Sequence, residues 1–389
     1  MTSAIRLRGI TWNHSRGFLP MVATAQRFGE THPGVEIVWE KRSLQEFADY
    51  PVERLAETFD LLVVDHPFVG YAARHRVFIP LDETPDKVLI DGFLSEQARD
   101  SAGASHASYF YDGRQWALSI DAATPVSSWR PDLLERAQTS PPENWEDLLV
   151  LAKRGWVAFP AIPIDSLMNF YMLCCALGSE PFPAGNTFVD SDTGAEALAL
   201  LRELVALCPA EILNWNPIAV YEAMASRSDI AYCPFAYGYS NYARAGYAAN
   251  ALRFGDLGRI RGGARARSTL GGTGLAISAG CRNPDVAFQY ARYVASSDCQ
   301  GGLYLQSGGQ PGRLSAWTSV EANRLTNDFF KETLPSIERA YLRPRYCGYI
   351  KFQDQAAAVV HKFLREGGDA RPAVSEMRRL FELSQASQR

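Results

Sequence analysis

The sequence predicts a two-lobed α/β fold, each lobe a mostly parallel sheet flanked by helices. Three observations carry this expectation. The chain has 389 residues, enough for two or three domains. Its first 82 residues alternate strand and helix, the pattern of a parallel sheet with right-handed crossovers. The stretch Trp116–Lys153 then leaves one compact unit in extended chain and at once opens another, as a hinge between lobes does.

In order, Ile5–Ile10 reads as a strand and Arg16–Glu30 as a helix, with Phe18, Val22, Ala25 and Phe28 on its apolar face. Val35–Trp39 is a strand and Leu44–Glu57 a helix. Asp60–Asp65 carries Leu61, Leu62, Val63 and Val64 in succession, the composition of a strand buried on both faces. Val77–Leu81 is a fourth short strand. Beyond the hinge, Arg130-Pro131-Asp132 starts a short helix, and Asn144 can cap a helix over Trp145–Arg154. Thr193 and Glu196 fit a capping box for a helix reaching about Cys208. Asp229–Cys233 reads as a buried strand and Leu270–Ser278 as a strand loosened by glycine. Asn283-Pro284 opens a helix whose inner stripe is Ala287, Tyr290, Ala291 and Val294. Helices dominate from Ser319 onward and close with an amphipathic one, Ala373–Leu383.

Bulk properties exclude several classes. Net charge is −4, so no basic surface argues for nucleic acid. No apolar run reaches 18 residues, so no membrane span is expected. The start, Met1 to Ile10, lacks the apolar core of a secretory signal. Either a signal was removed before this numbering or the protein stays in the cytosol. The seven cysteines are odd in number and irregular in spacing, which reads as buried free thiols and leans toward a reducing compartment. Aromatic residues make up 12%, with 8 Trp and 17 Tyr, enough to fill cores and also to supply flat stacking faces for sugars.

The order of several segments resembles the extracellular solute-binding proteins of ABC importers, sugar-binding type, with the periplasmic-binding-protein type II fold. In the hinge, a strand with a polar end precedes a Pro-rich turn that opens the Trp145-Glu146-Asp147-Leu148 helix. Met224–Ala231 looks like the family's step from helix through a short turn to strand. Ser268–Ser278 looks like its return crossing, Asn283–Ser296 like the helix that follows, and Gly308–Arg313 like its Gly-Xaa-Pro-Xaa-Arg loop. The resemblance implies an N-lobe of residues 1–120 and 269–318 and a C-lobe of 121–268 with a helical tail, 319–389. It implies a monomer that closes on a small polar solute in the interlobe cleft and passes it to an ABC permease. The expected solute is a carbohydrate or a related hydroxylated or acidic compound, with no cofactor and no metal. The family implies the periplasm, while the absent signal segment and the cysteines leave the cytoplasm open.

Topology nominates the solute residues, because ligands of open α/β sheets bind beyond the carboxyl ends of the strands. In a 2-1-3 strand order the first and third strands are neighbours, which gathers Trp12, Asn13, His14, Arg16, Asp65 and His66 at one edge. Arg16 in a first helical turn opposes the helix dipole, so it calls for an anionic partner, either the solute or Asp65. Asp121, at the hinge, is placed to accept hydrogen bonds from sugar hydroxyls. The second lobe offers Asn169, Tyr171, Trp215, Tyr237 and Tyr239, and Gly272 and Thr273 offer bare backbone N–H groups. Arg313 joins them from the Gly-Xaa-Pro-Xaa-Arg loop. Plainer uses compete: Asn13, Ser15 and Asp65 can cap helices, Trp12 and any one second-lobe aromatic can be core, and the arginines of 259–267 can form a solvated loop.

Two other functions fit the same residues. A cytosolic enzyme on this fold would use one of His14 and His66 beside Asp65 as general base, the other to polarise a carbonyl, and Arg16 to anchor an acidic substrate. A cytosolic ligand sensor would dock on a partner through the 259–267 loop.

Overall fold

The structure is a computed structural model and describes residues 5–43, 52–83, 87–183 and 187–386. Its strands are β1 (Ile5–Trp12), β2 (Val35–Arg42), β3 (Leu61–Val64), β4 (Phe110–Tyr111), β5 (Arg114–Gln115), β6 (Leu118–Ala123), β7 (Pro125–Trp129), β8 (Tyr232–Tyr237), β9 (Arg253–Gly255) and β10 (Gly271–Ile277). The chain divides into two compact units. Unit 1 holds Met1–Ala123, Gly271–Arg324 and Arg345–Cys347; unit 2 holds Thr124–Leu270, Leu325–Pro344 and Gly348–Arg389.

Unit 1 is built on a sheet of order β2-β1-β3-β10-β6. β1 runs parallel to β2 and β3, while β10 runs antiparallel to β3 and β6. The sheet is therefore mixed, where a mostly parallel one was expected. The cause is connectivity: β10 arrives from unit 2, so no helix-borne crossover inside unit 1 fixes its direction. β3 shows why both faces must be covered. Leu61 and Val63 pack in one apolar cluster with Leu7, Phe28 and Tyr290, while Leu62 and Val64 pack in another with Ile10, Phe78 and Trp116. This is the period-two alternation of a strand with a core on each side. The first helix, α1 (Ser15–Thr31), buries Met21, Thr24, Ala25 and Phe28 at helical spacing.

Unit 2 pairs β7 with β8 and with β9, all antiparallel, and Val157 bridges Tyr232 in parallel. Here too the expectation of a mostly parallel sheet gives way, because the partners of β7 come from distant segments and not from consecutive βαβ units. The helix Pro163–Ala176, hereafter α2, is buried on nearly all sides. It packs with helices Ser191–Ala206 and Tyr349–Glu366 around rings from Tyr171, Phe182, Phe188, Phe352 and Phe381.

Several local expectations change. Val77–Leu81 forms no strand: Phe78 makes one isolated bridge to Ser278, and a 3-10 turn begins at Leu81. Of the helix expected over Leu44–Glu57, residues 44–51 lie outside the described residues, and the described helix is Val52–Thr58. The helix of Ser191–Ala206 is capped by Asp190, which accepts from the Thr193 amide, so Thr193 is not the cap; Glu196 instead pairs with Arg261. The strand expected at Asp229–Cys233 is shifted along to β8. Asn144 does cap its helix, accepting from the Asp147 amide at 2.9 Å.

Gly272 has φ +95, and a Cβ there would lie 2.3 Å from the Asp121 carbonyl oxygen. β10 thus presses on β6 more closely than any side chain permits, and the Gly-rich run is a packing requirement of the sheet. Gly272→Ala should destabilise the chain by about 2 kcal/mol or more. Gly92→Ala, in a helix with open space around it, should leave stability unchanged or raise it by about 0.5–1 kcal/mol. Denaturant midpoints of the two variants measure the contrast.

Candidate functional site

β1 ends at Trp12, and its register with β3 (Ile10 opposite Leu62) brings both strands out at the same sheet edge. His14 caps α1 with its Nδ1, which accepts from the Arg16 amide at 3.0 Å. This is the task expected of Asn13 or Ser15; Asn13 is exposed and its own amide bonds to the Arg42 carbonyl. Trp12 is buried, and Gly17 lies so close that a Cβ there would sit 2.3 Å from the indole.

Arg16 and Asp121 are the centre of this edge. Their side chains are 4% and 0% exposed, and they form a two-point ion pair: Nε to Oδ2 at 2.8 Å, and Nη2 to Oδ1. Arg16 therefore finds its anion in Asp121, not in Asp65. Burial pushes the Asp121 carboxyl up, and the charge and hydrogen bonds of Arg16 pull it back. The Arg16 guanidinium also stands 6.0 Å from the Trp12 ring. Burial, helped by Arg16, pulls the His14 imidazole down to about 3, so it is neutral at physiological pH. Asp121 opposes Thr273 across the β6–β10 ladder and bridges Pro311. Thr273 is 5% exposed, and its Oγ1 has no hydrogen-bond partner. Gln310, which the sequence did not single out, donates from Nε2 to the Ala122 carbonyl and accepts the Ala122 amide.

Other expected residues do interior work. Asp65 accepts the His66 amide at 2.8 Å, and its Oδ1 lies 3.1 Å from Nδ1 of His66, which is fully buried against Tyr109. Arg313 is wholly buried, donating to the Ala295 carbonyl and to Glu96, with Asp100 at 3.7 Å. It anchors its loop inside unit 1, so its guanidinium is committed to structure. Tyr171 is sealed in the aromatic cluster of unit 2 and is core.

Within unit 2, Tyr237 is half-buried and its hydroxyl lies 3.0 Å from Thr269 Oγ1. Tyr239 is buried, 6.2 Å from the Tyr221 ring. Trp215 is half-buried with the Arg227 guanidinium 5.7 Å from its ring. Asn169 donates to the Pro160 carbonyl. The loop arginines are largely paired: Arg261 with Glu196, Arg265 with Asp256, and Arg267 with Glu180. Sequence reading passed over Asp165, the third residue of α2, which burial alone pushes up to about 8. An acid in a first helical turn is so ordinary that no signal marks it. Among the described residues, no helix is long and apolar enough to cross a membrane, and no group of three or more His, Cys, Asp or Glu could hold a metal.

The family model for bacterial extracellular solute-binding proteins matches residues 23–329. The chain belongs to that family. Solved structures of similar fold include T. maritima MalE3 with maltose bound, at 18% identity and TM-score 0.85, covering 98% of this chain and all of that one. An ABC transporter solute-binding protein of Agrobacterium radiobacter K84 in complex with ribitol is 17% identical, with TM-score 0.82 over 98% and 99% of the two chains. The GacH receptor of Streptomyces glaucescens, studied unliganded and with acarbose, is 18% identical, with TM-score 0.80 over 98% of each. The shared fold is the two-lobed periplasmic-binding-protein type II fold. No curated protein sequence matches the chain.

Two titrations have opposite signs. The unfolded chain protonates His14 near its ordinary 6.5 while the folded chain resists to about 3, so His14 contributes stability above pH 6.5 that is lost as pH falls. His14→Asn keeps a capping acceptor and should gain on the parent steadily from pH 6.5 to pH 4. Asp165 holds its proton to about 8 when folded and releases it near 3.8 when unfolded, so its stability contribution is lost as pH rises. Asp165→Asn should gain on the parent from pH 4 to pH 8. Thermal melts across pH read both. Asp121→Asn, which strands the Arg16 cation, should cost about 3–5 kcal/mol in denaturant unfolding.

Proposed function

We propose that the chain is the recognition component of an ABC importer and binds an uncharged, polyhydroxylated solute: a sugar, a sugar alcohol or a short oligosaccharide. The observation that carries this is the closed Arg16–Asp121 pair. The Arg16 cation at this sheet edge is already neutralised, and the adjacent His14 is neutral. A carboxylate or phosphate entering there would lose its hydration beside an Arg16 that is already paired. Hydroxyl groups need only neutral donors and acceptors, and Thr273 Oγ1 and the half-buried faces of Trp215 and Tyr237 supply polar and flat apolar contacts. The maltose, ribitol and acarbose complexes of the similar proteins support the same class.

Trp12, Asn13, His14, Arg16, Asp65, Asp121, Gly272 and Thr273 of unit 1, with Trp215, Tyr237 and Tyr239 of unit 2, are the residues we assign to this task, some in contact and some as support. The chain acts as a monomer, hands its solute to an ABC permease and does not transform it. A histidine with so low a proton affinity, and with Nδ1 committed to the Arg16 amide, is a poor general base at neutral pH. That argues against the enzymatic alternative.

Melting curves with matched neutral and acidic compounds test the reading: maltose against maltobionate, and D-mannitol against D-mannonate. Neutral members should raise the melting temperature by several degrees at millimolar concentration, with acidic members inert. Solute recovered afterwards should be unchanged by NMR. Stabilisation by the acids alone, or conversion of the solute, contradicts the proposal.

A further inference from the structure

Among the described residues of unit 2, Asp165 is a buried carboxyl that the fold does not pair. Asp165 is 5% exposed, and its Oδ2 is buried without a hydrogen-bond partner. Among the described residues it forms no ion pair, and burial is the sole influence acting on its carboxyl. Buried acids are ordinarily paired or replaced, because an unpaired one costs stability.

α2 does not depend on it. Pro163 occupies the first helical position and has no N–H to cap. The Ser166 amide reaches the Ile162 carbonyl at 2.9 Å, and the Ser166 hydroxyl reaches the Ala161 carbonyl at 2.8 Å. Asn169, one turn further along the same face, donates to the Pro160 carbonyl. The Ala161 amide is held by the carbonyls of Ile212 and Trp215. Each polar neighbour has a local partner, and the carboxyl alone does not. It stands at a helix N-terminus, where first-turn amides have no intrahelical acceptor, and next in sequence to a segment bonded to the backbone of half-buried Trp215.

We propose that Asp165 is a solute-recognition residue of unit 2, bonding as a neutral acid, both donor and acceptor, to a hydroxyl group of the polyol. The inference rests on the neutral-polyol reading above and adds to it a named residue in the other unit. A protonated carboxyl complements an alcohol, since each offers one O–H and free lone pairs. The unsatisfied oxygen is a cost carried by the solute-free protein and removed when solute arrives.

The test compares the full-length parent with Asp165→Asn and Asp165→Ala, using maltose, ribitol and D-mannitol as probes. Without solute, neither variant should melt lower than the parent. Asp165→Asn, which keeps a donor and an acceptor without charge, should bind the best probe within about threefold of the parent, and Asp165→Ala should lose about tenfold or more. Rescue by Asn and not by Ala separates recognition from a packing role. The proposal is overturned when Asp165→Ala binds as the parent does, when Asp165→Asn loses as much as Ala, or when both variants melt lower than the parent without solute. A parent that binds none of the three probes contradicts the polyol reading, and the solute-free melts then judge Asp165 by themselves.

Discussion

The Arg16–Asp121 ion pair is the constraint on which the organisation of unit 1 depends. It joins the first turn of α1 to the end of β6, two residues before the chain leaves for unit 2 at Ala123. A guanidinium near a helix N-terminus is unfavourable against the dipole, and a carboxylate buried at a strand end is unfavourable against desolvation. Bound at two points, each offsets part of the other's cost, although burial still holds the Asp121 carboxyl above its ordinary value. The surroundings are fitted to that pair. Gly272 lets β10 close on the Asp121 backbone, Gln310 bonds both backbone groups of Ala122, and Trp12 lies against Gly17 beside the guanidinium.

In the proposed function, the same pair limits what the edge can recognise. Had Arg16 been open, the helix start would have been a ready anion site. Asp121 closes it, and His14 is held neutral by burial. In unit 2 the buried carboxyl of Asp165 is pushed up to about 8 by burial.

Much of the fold could be read in advance. β3 declared itself through Leu61–Val64, and the β2-β1-β3 order followed from strand–helix alternation. The Gly-Gly-Thr run marked β10, but its antiparallel direction was hidden, because it depends on how the chain returns and not on local composition. Asn144 was legible as a cap because no stronger acceptor precedes its helix. Asp190 was overlooked because Thr193 and Glu196 offered a tidier pattern. At the site, Arg16 was correctly marked as needing an anion, yet its partner lies 105 positions away, beyond any local signal. Arg313 and Tyr171 illustrate the opposite error: residue types common at binding sites also anchor interiors, and only burial separates the two uses. Asp165 was invisible, since its meaning lies in the absence of a neighbour.

The proposed function requires a neutral polyhydroxylated solute held without chemical change. Native mass spectrometry of protein purified directly from cells, without refolding, addresses this most directly. The expected result is an adduct that leaves on gentle activation with the mass of an intact sugar, sugar alcohol or short oligosaccharide. An adduct bearing a carboxylate or phosphate, or one covalently attached to the chain, would contradict it.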